Sequence, residues 1–255
     1  MAATGVEVAL PGPAVFERAG LAAWPGIETE WDGNWVRRAA NGYTKRANSV
    51  QSLDPGDQVD ATARIAGAAQ WFRTRGLRPT FRVTPLVGSQ VVAALDDWGW
   101  SSMDDSHLFA MALVPTDPHK GGRLYDFLDP AFLAVQQQLY GYSEEQMDGL
   151  KGVLGMVKMP GIGVILSAPG GEAVASALMT IADGIVFTGN IITASSHRGK
   201  GYGTAMMRTG LAWACDAGAN IAALNVAADN PAAQALYRRL GYRRQYDYTY
   251  YVPPR

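Results

Sequence analysis

The residues in this chain best placed to do chemistry fall into two short stretches. Arg198-Gly199-Lys200-Gly201-Tyr202-Gly203 follows the β-branched run Ile191-Ile192-Thr193 and opens a helical pattern at Thr204. Glycines at alternate positions remove the Cβ atoms that keep a ligand off the backbone, and they permit φ values that turn successive N–H groups inward. The first turn of the next helix adds unpaired donors and a partial positive charge. Such a stretch is a socket for an anion, best matched by a phosphate or pyrophosphate. The second stretch runs from Asn230-Pro231 through Ala233 and Tyr237 to Gly241-Tyr242. Asn is a good N-cap and Pro fits the first helical position, so both have an ordinary helix-starting role. That role leaves one feature over: Asn230, Ala233 and Tyr237 share a face, where the small alanine leaves room for something to approach beside a phenol. If both helix starts border one cleft, a phosphate-bearing ligand lies between them with its reactive end near Tyr237.

The elements that must position these residues can be read from periodicity. In the second part of the chain, 130–140 and 144–156 read as helices and 163–168 as a strand. Residues 173–181 and 185–193 read as an antiparallel pair around Ala182-Asp183-Gly184. A helix over 204–217 ends at Gly218, a buried strand covers 220–228, and a helix from Asn230-Pro231 ends before Gly241. Tyr242 to Tyr251 reads as a last strand whose aromatics, at period two, suit packing on neighbours better than stacking on bases. In the first part, 13–24 reads as a helix. A hairpin is expected over 31–39 and 44–53, turning at Ala40-Asn41-Gly42. A helix over 59–74, a strand in PTFRVTP, a helix over 90–98 and a strand over 107–114 follow. Between the parts, Pro115 to Gly122 loses the apolar pattern, which predicts a division into 1–115 and 125–255 with 116–124 as linker.

Composition narrows the function classes. The 255 residues are 48% hydrophobic and carry 22 Lys+Arg against 23 Asp+Glu, net charge -1. A core is expected, and a surface built wholly for nucleic acid or anionic lipid is not. The single Cys215 lies in an apolar helical run and reads as a small core residue, and His107, His119 and His197 have no metal-ligand spacing, so no metal is expected. No long apolar span or signal-like start is present, which favours a reducing, cytoplasmic setting with no membrane or nucleic-acid partner.

Arg198-x-x-Gly201-x-Gly203 resembles the R/Q-x-x-G-x-G/A pyrophosphate loop of the GNAT superfamily of acyl-CoA-dependent N-acetyltransferases, and Asn230, Ala233, Tyr237, Gly241 and Tyr242 match that superfamily's later N-x-x-A-x-x-x-Y-x-x-x-G-F/Y signature. The resemblance covers roughly residues 125 to 251. It implies an α/β (α+β) fold with mixed, mostly antiparallel sheets flanked by helices. It further implies acetyl-CoA as co-substrate, with its pyrophosphate on the N–H groups from Gly199 to Thr204 (Gly199, Lys200, Gly201, Tyr202, Gly203, Thr204) and Arg198 framing the loop. Ile191, Ile192 and Thr193 would pair with the pantetheine arm, where a backbone N–H could also polarise the thioester carbonyl. Asn230 and Ala233 would line the coenzyme's far side, and Tyr237 would give a proton to the leaving thiolate. A phenol of pKa ~10 facing a thiol of ~8.5 makes that donation feasible, whereas a structural tyrosine is the plainer reading. The reaction implied is transfer of acetyl to a primary amine of a small molecule or peptide by direct attack.

The amine must lose a proton, and the family's fourth-strand carboxylate is missing from GIVFTGNIITAS. The base is therefore unassigned between a water on backbone carbonyls and a carboxylate from the first half, with Asp183 in the preceding turn. That gap keeps open a non-catalytic acyl-CoA-binding regulatory protein. A nicotinamide dinucleotide site fails, because Gly199-x-Gly201-x-Gly203 lacks the G-x-G-x-x-G spacing. The order of elements in 14–114 resembles the degenerate N-terminal lobe of tandem GNAT proteins. Its loop Ser52-Leu53-Asp54-Pro55-Gly56-Asp57 has no R-x-x-G-x-G, so no second coenzyme is expected. Trp31, Trp35, Arg37, Tyr43 and Arg46 could line an acceptor pocket, although strand packing with solvated charges is the simpler reading. Acceptor identity and the choice between monomer and homodimer are left open.

Overall fold

A computed structural model describes residues 9–254. The first half runs α1 (Pro13–Ala23), β1 (Glu28–Asp32), β2 (Trp35–Ala39), β3 (Val50–Ser52), α2 (Ala61–Arg73), β4 (Phe81–Val83), α3 (Ser89–Asp97) and β5 (Ser101–Ala112). The second runs β6 (Gly122–Tyr125), α4 (Pro130–Tyr140), α5 (Glu144–Met156), β7 (Gly161–Ser167), β8 (Ala173–Ala182), β9 (Ile185–Thr193), α6 (Tyr202–Asp216), β10 (Ile221–Ala227), α7 (Pro231–Leu240) and β11 (Arg243–Val252). Among the described residues eleven strands form one mixed sheet in the order β1-β2-β3-β4-β11-β5-β10-β9-β8-β7-β6. Among the described residues only β3–β4 and β9–β10 pair in parallel. Each parallel pair is joined by a helix, α2 or α6, as a parallel connection requires.

The two halves repeat one element order, strand-strand-strand-helix-strand-helix-strand, ending at β5 and at β11. Their final strands are exchanged. β11 lies between β4 and β5, while β5 lies between β11 and β10. The helix α1 also leaves its half: Phe16, Ala19 and Ala23 share a buried cluster with Ala182, Ile185, Ile221 and Tyr246. The predicted linker is irregular up to Gly121, and its last residues form β6, which pairs with β7.

Local chemistry explains most element ends. Asp129 caps α4 by accepting from the Ala131 N–H at 2.7 Å, with Pro130 in the first turn and Gly141 left-handed at the end. Ser143 and Gln146 make a reciprocal capping box on α5. The expected hairpin is displaced. β1 and β2 pair around Gly33-Asn34, where Gly33 has φ +62° and the Asn34 N–H donates to Asp57 at 2.7 Å. The stretch expected to be a returning strand is instead folded around the buried Asn48 side chain, which accepts from Ala40 N at 2.7 Å and donates to the Tyr43 and Thr44 carbonyls at 2.8 Å. That side chain takes backbone groups a strand would need, so Lys45–Ala47 forms a 3-10 turn and only Val50–Ser52 extends.

Candidate functional site

The site forms where β9 and β10 part. Their parallel pairing ends at Thr188↔Leu224. On the other edge of β9, Leu178↔Gly189 is followed by Ser176↔Ile192, so two β9 residues, Asn190 and Ile191, oppose one residue of β8. This is a bulge, and Asn190 adopts φ +47° there. It is held by Gln136, which donates to the Asn190 carbonyl at 3.3 Å, by Tyr43, which accepts from the Asn190 side chain at 3.2 Å, and by Tyr140, which donates to the Ile191 carbonyl at 3.2 Å. Ile191, Ile192 and Thr193 are half-buried; Ile192 and Thr193 pair only with β8, leaving their second edge free to face a cleft.

At the mouth of the cleft the chain turns through Arg198 to Gly203. Gly199 and Gly201 are left-handed, at φ +73° and +85°, and a Cβ on either would meet open space. Helix α6 starts at Tyr202, two residues earlier than its periodicity indicates, with Gly201 as a cap that offers no side chain. The first backbone donor with a partner is Ala205, bonding the Gly201 carbonyl at 3.0 Å. From Gly199 to Thr204 no backbone N–H is hydrogen-bonded among the described residues. Such a run of free donors at a helix start is a strong anion socket. Arg198 donates from Nε to the Thr193 carbonyl at 3.3 Å and Lys200 to the Ser196 carbonyl at 3.0 Å, which ties the loop to the strand end. Lys120, Arg123 and Lys200 line an open chamber of about 780 Å³ beside Gly201 and Tyr202.

The two sequence stretches meet. A Cβ on Gly203 would lie 3.0 Å from Leu236 of α7 and 3.1 Å from Thr193 of β9, so loop, strand end and helix converge there. That direction corrects one expectation. A side chain at Gly203 would press into the α6–α7 contact instead of occupying an anion's place. Asn230 does cap α7, accepting from Ala233 N at 3.1 Å. Ala233, Leu236 and Ile191 pack on the cluster that contains Tyr237. Tyr237 is 5% exposed, and burial alone pushes its phenol up to about 12.

The first half completes the site. Arg46, in the 3-10 turn, and Asn225 of β10 line both an enclosed cavity at the apex of the cleft and an outer chamber of about 790 Å³. Asp104, Asp105 and Asp229 face the outer chamber, and Asp104 pairs with Lys45. Tyr43 and Arg46 are therefore the members of the expected pocket set that reach the site. Trp35 is 1% exposed inside the first-half core, Trp31 is 55% exposed on the outermost strand, and Arg37 pairs with Glu30 at 3.1 Å and Asp32 at 2.9 Å. Asp183 sits in the β8–β9 turn, at the opposite end of β9 from the cleft, which removes it as a base. The residues missed from sequence are Glu17, Arg38, Gln51 and Arg82, all buried around the enclosed cavity. The equivalent first-half loop is self-satisfied: Asp54 accepts from the Gly56 N–H at 2.8 Å and Asp57 accepts from Arg64 at 2.7 Å. Cys215 is half-buried beside the core, and among the described residues no group of three metal-ligating side chains converges. No helix among them is long and apolar enough to cross a membrane.

Comparison with known proteins gives the family and the fold. The family described as "Probable histone acetyltransferase Rv0428c C-terminal" matches residues 14–251. The "Uncharacterized N-acetyltransferase YobR" of Bacillus subtilis (strain 168) is 28% identical over 234 residues, 89% of this chain and 93% of that protein. A GCN5-related N-acetyltransferase from Kribbella flavida superposes with a TM-score of 0.73 at 19% identity, covering 96% of this chain and 97% of that one. A tandem GNAT protein from the clavulanic acid biosynthesis pathway superposes with a TM-score of 0.64 at 15% identity, covering 97% and 89%.

Proposed function

Because the chain belongs to the Rv0428c C-terminal acetyltransferase family and has the GNAT fold, we propose that it transfers an acetyl group from acetyl-CoA to a primary amine of a small molecule or peptide. The observation that carries this reading is the run of unpartnered backbone donors from Gly199 to Thr204 at the end of a strand that has parted from its neighbour. The residues present fit the coenzyme. The socket takes a pyrophosphate, Lys120, Arg123 and Lys200 add positive charge beside it, and the free edge of Ile191, Ile192 and Thr193 offers strand-like hydrogen bonds to an amide-bearing arm.

Acetyl-CoA supplies an activated thioester. The protein's part is to hold its carbonyl at the bulge, where backbone N–H groups stabilise the oxyanion that develops on amine attack. Tyr237, whose phenol pKa burial raises, would favour thiolate departure by donating a hydrogen bond. Asp105, a first-half carboxylate in the outer chamber with Asn225, takes the ammonium proton through water. The test is a thiol-release assay over amine classes together with direct titration of acetyl-CoA. Release with at least one amine is expected. Tight coenzyme binding with no release on any amine would instead mark a non-catalytic acyl-CoA-binding regulatory protein.

A further inference from the structure

The enclosed cavity at the apex of the cleft is walled by Thr188 and Gly189 of β9, Asn225 of β10, α1, β2 and β4, and its free volume is about 30 Å³. That is room for about two water-sized groups, enough for a carboxylate and too little for a ring. Three guanidinium groups border it, from Arg38, Arg46 and Arg82, against the single carboxylate of Glu17. Glu17 is fully engaged. Its Oε2 accepts from Arg82 and from Gln51 at 2.5 Å, and its Oε1 accepts from the Tyr246 hydroxyl at 2.5 Å. Arg82 also lies over the Tyr248 ring at 4.0 Å and reaches the Asn225 side chain at 3.3 Å.

The other two cations have no ion-pair partner among the described residues, and Glu17 acts on Arg38 only from beyond Gln51. Arg38, 2% exposed, donates only to neutral oxygens, the Trp24 carbonyl at 2.8 Å and the Gln51 amide at 3.0 Å, and its Nε is buried without a partner. Arg46 makes no hydrogen bond or ion pair among them. It lies over the Trp24 ring at 4.9 Å with its Nε buried and bare. Burial, reinforced by Arg82 and outweighing the attraction of Glu17, brings Arg38 down to about 9. Uncompensated buried charge is costly, and an arriving carboxylate relieves that cost while accepting from bare N–H donors.

We propose that this cavity is the anion-binding end of the acceptor site, and that the acceptor is a small amine bearing a carboxylate held by Arg46 and Arg38. A carboxylate seated there leaves its amine at Gly189 and Asn225, beside the point where β9 and β10 part. Separation between the two groups is then a few bonds, as in an amino acid. A protein lysine, which presents a cation, is disfavoured by the same charges. This rests on the acetyltransferase reading for the meaning of the cleft, and the test separates the two.

The full chain is titrated calorimetrically with glycine, L-alanine, L-aspartate and L-glutamate and with the matching amides, diamides for the last two, which keep the amine and lose every carboxylate. At least one acid should bind about 10- to 100-fold more tightly than its amide, as for loss of a hydrogen bond to a charged group. Arg46→Gln should bring the pair within about threefold, Arg46→Lys should restore part of the preference, and both should stay folded with a Tm close to wild type, since the lost contact with the Trp24 ring is offset by relief of a buried unpaired charge. Acids binding no better than amides, or a lysine peptide binding better than any acid, would overturn the proposal. Thiol release with acetyl-CoA is measured separately. Its absence refutes the acetyltransferase reading, while the acid-over-amide preference stands or falls on the titration alone.

Discussion

Replacing Tyr237 by Phe is the most informative single change, because the structure decides how large its effect should be. The ring is 5% exposed and packs on Tyr242 with centroids 6.1 Å apart, and burial holds the phenol at about 12. A coenzyme thiol is near ~8.5, so complete transfer from this phenol to the thiolate is uphill by roughly 3.5 units, about 5 kcal/mol. Burial has made Tyr237 a poor acid and left it a good donor. A hydrogen bond to a charged acceptor is worth about 1.5–3 kcal/mol, so Tyr237→Phe should lower kcat by about 10- to 150-fold. Full general-acid catalysis would extend to about 10⁴-fold. No hydrogen bond contributes to the phenol's pKa, and Phe keeps the ring, so Tm should be unchanged and acetyl-CoA affinity should hold. The wild-type profile should also show no descending limb from this group below about pH 12. The assay is steady-state thiol release from pH 6 to 10. A kcat within twofold of wild type in a folded variant, or a loss near 10⁴-fold, refutes this argument.

The glycines of the loop should separate by coenzyme affinity. Gly201→Val places a β-branched residue at φ +85°, which costs about 1–2 kcal/mol of stability, and should also weaken acetyl-CoA binding; Gly203→Val meets Leu236 and Thr193, should cost about 1–3 kcal/mol of stability through overpacking, and should leave affinity less affected. Calorimetry distinguishes them in variants shown by melts to be folded, and the idea fails if Gly203→Val loses as much affinity as Gly201→Val. Asp105→Asn should depress kcat/KM about 100-fold or more; an unchanged kcat/KM would leave proton removal to Asp229 or to carbonyl-held water. Tyr140, Tyr142, Tyr237, Tyr242, Tyr246 and Tyr250 are all raised above the usual phenol value, chiefly by burial. A phenol raised on folding contributes stability that is intact below about pH 10 and lost as pH climbs through the folded values. The urea midpoint should therefore fall steeply above pH 10, and a flat midpoint from pH 9 to 11.5 would contradict it.

How much of this was readable in the sequence depends on whether the signal was local. Asp129-Pro130 and Ser143 to Gln146 are complete helix starts within a few residues, and α4 and α5 have the expected bounds. The glycine loop is equally local, because left-handed backbone and missing Cβ atoms are properties of the residues themselves. The hairpin turn was misplaced because Asp32-Gly33 and Asn41-Gly42 are competing turn signals, and a buried Asn48 decided between them. Arg38 and Arg82 gave only a faint signal, charge within the apolar strand runs WVRRA and TFRVT. Period two puts some residue of such a run inward, yet it does not show that three arginines from β2, β4 and a 3-10 turn converge. That depends on strand order, and nothing in residues 243–252 announces that they pair with β4 as well as β5.

The exchanged final strand has a consequence for how the molecule is made. Thr249 pairs with Val83 and Tyr251 with Phe81, contacts that span most of the chain. A ribosome finishes the first half long before β11 appears, so β4 and β5 wait with the slot between them empty. Sheets closed by such distant pairings assemble slowly, and an unfilled strand edge is an invitation to pair with another chain. Refolding should thus be limited by the arrival of β11, and strand exchange between copies is the characteristic error this architecture must avoid.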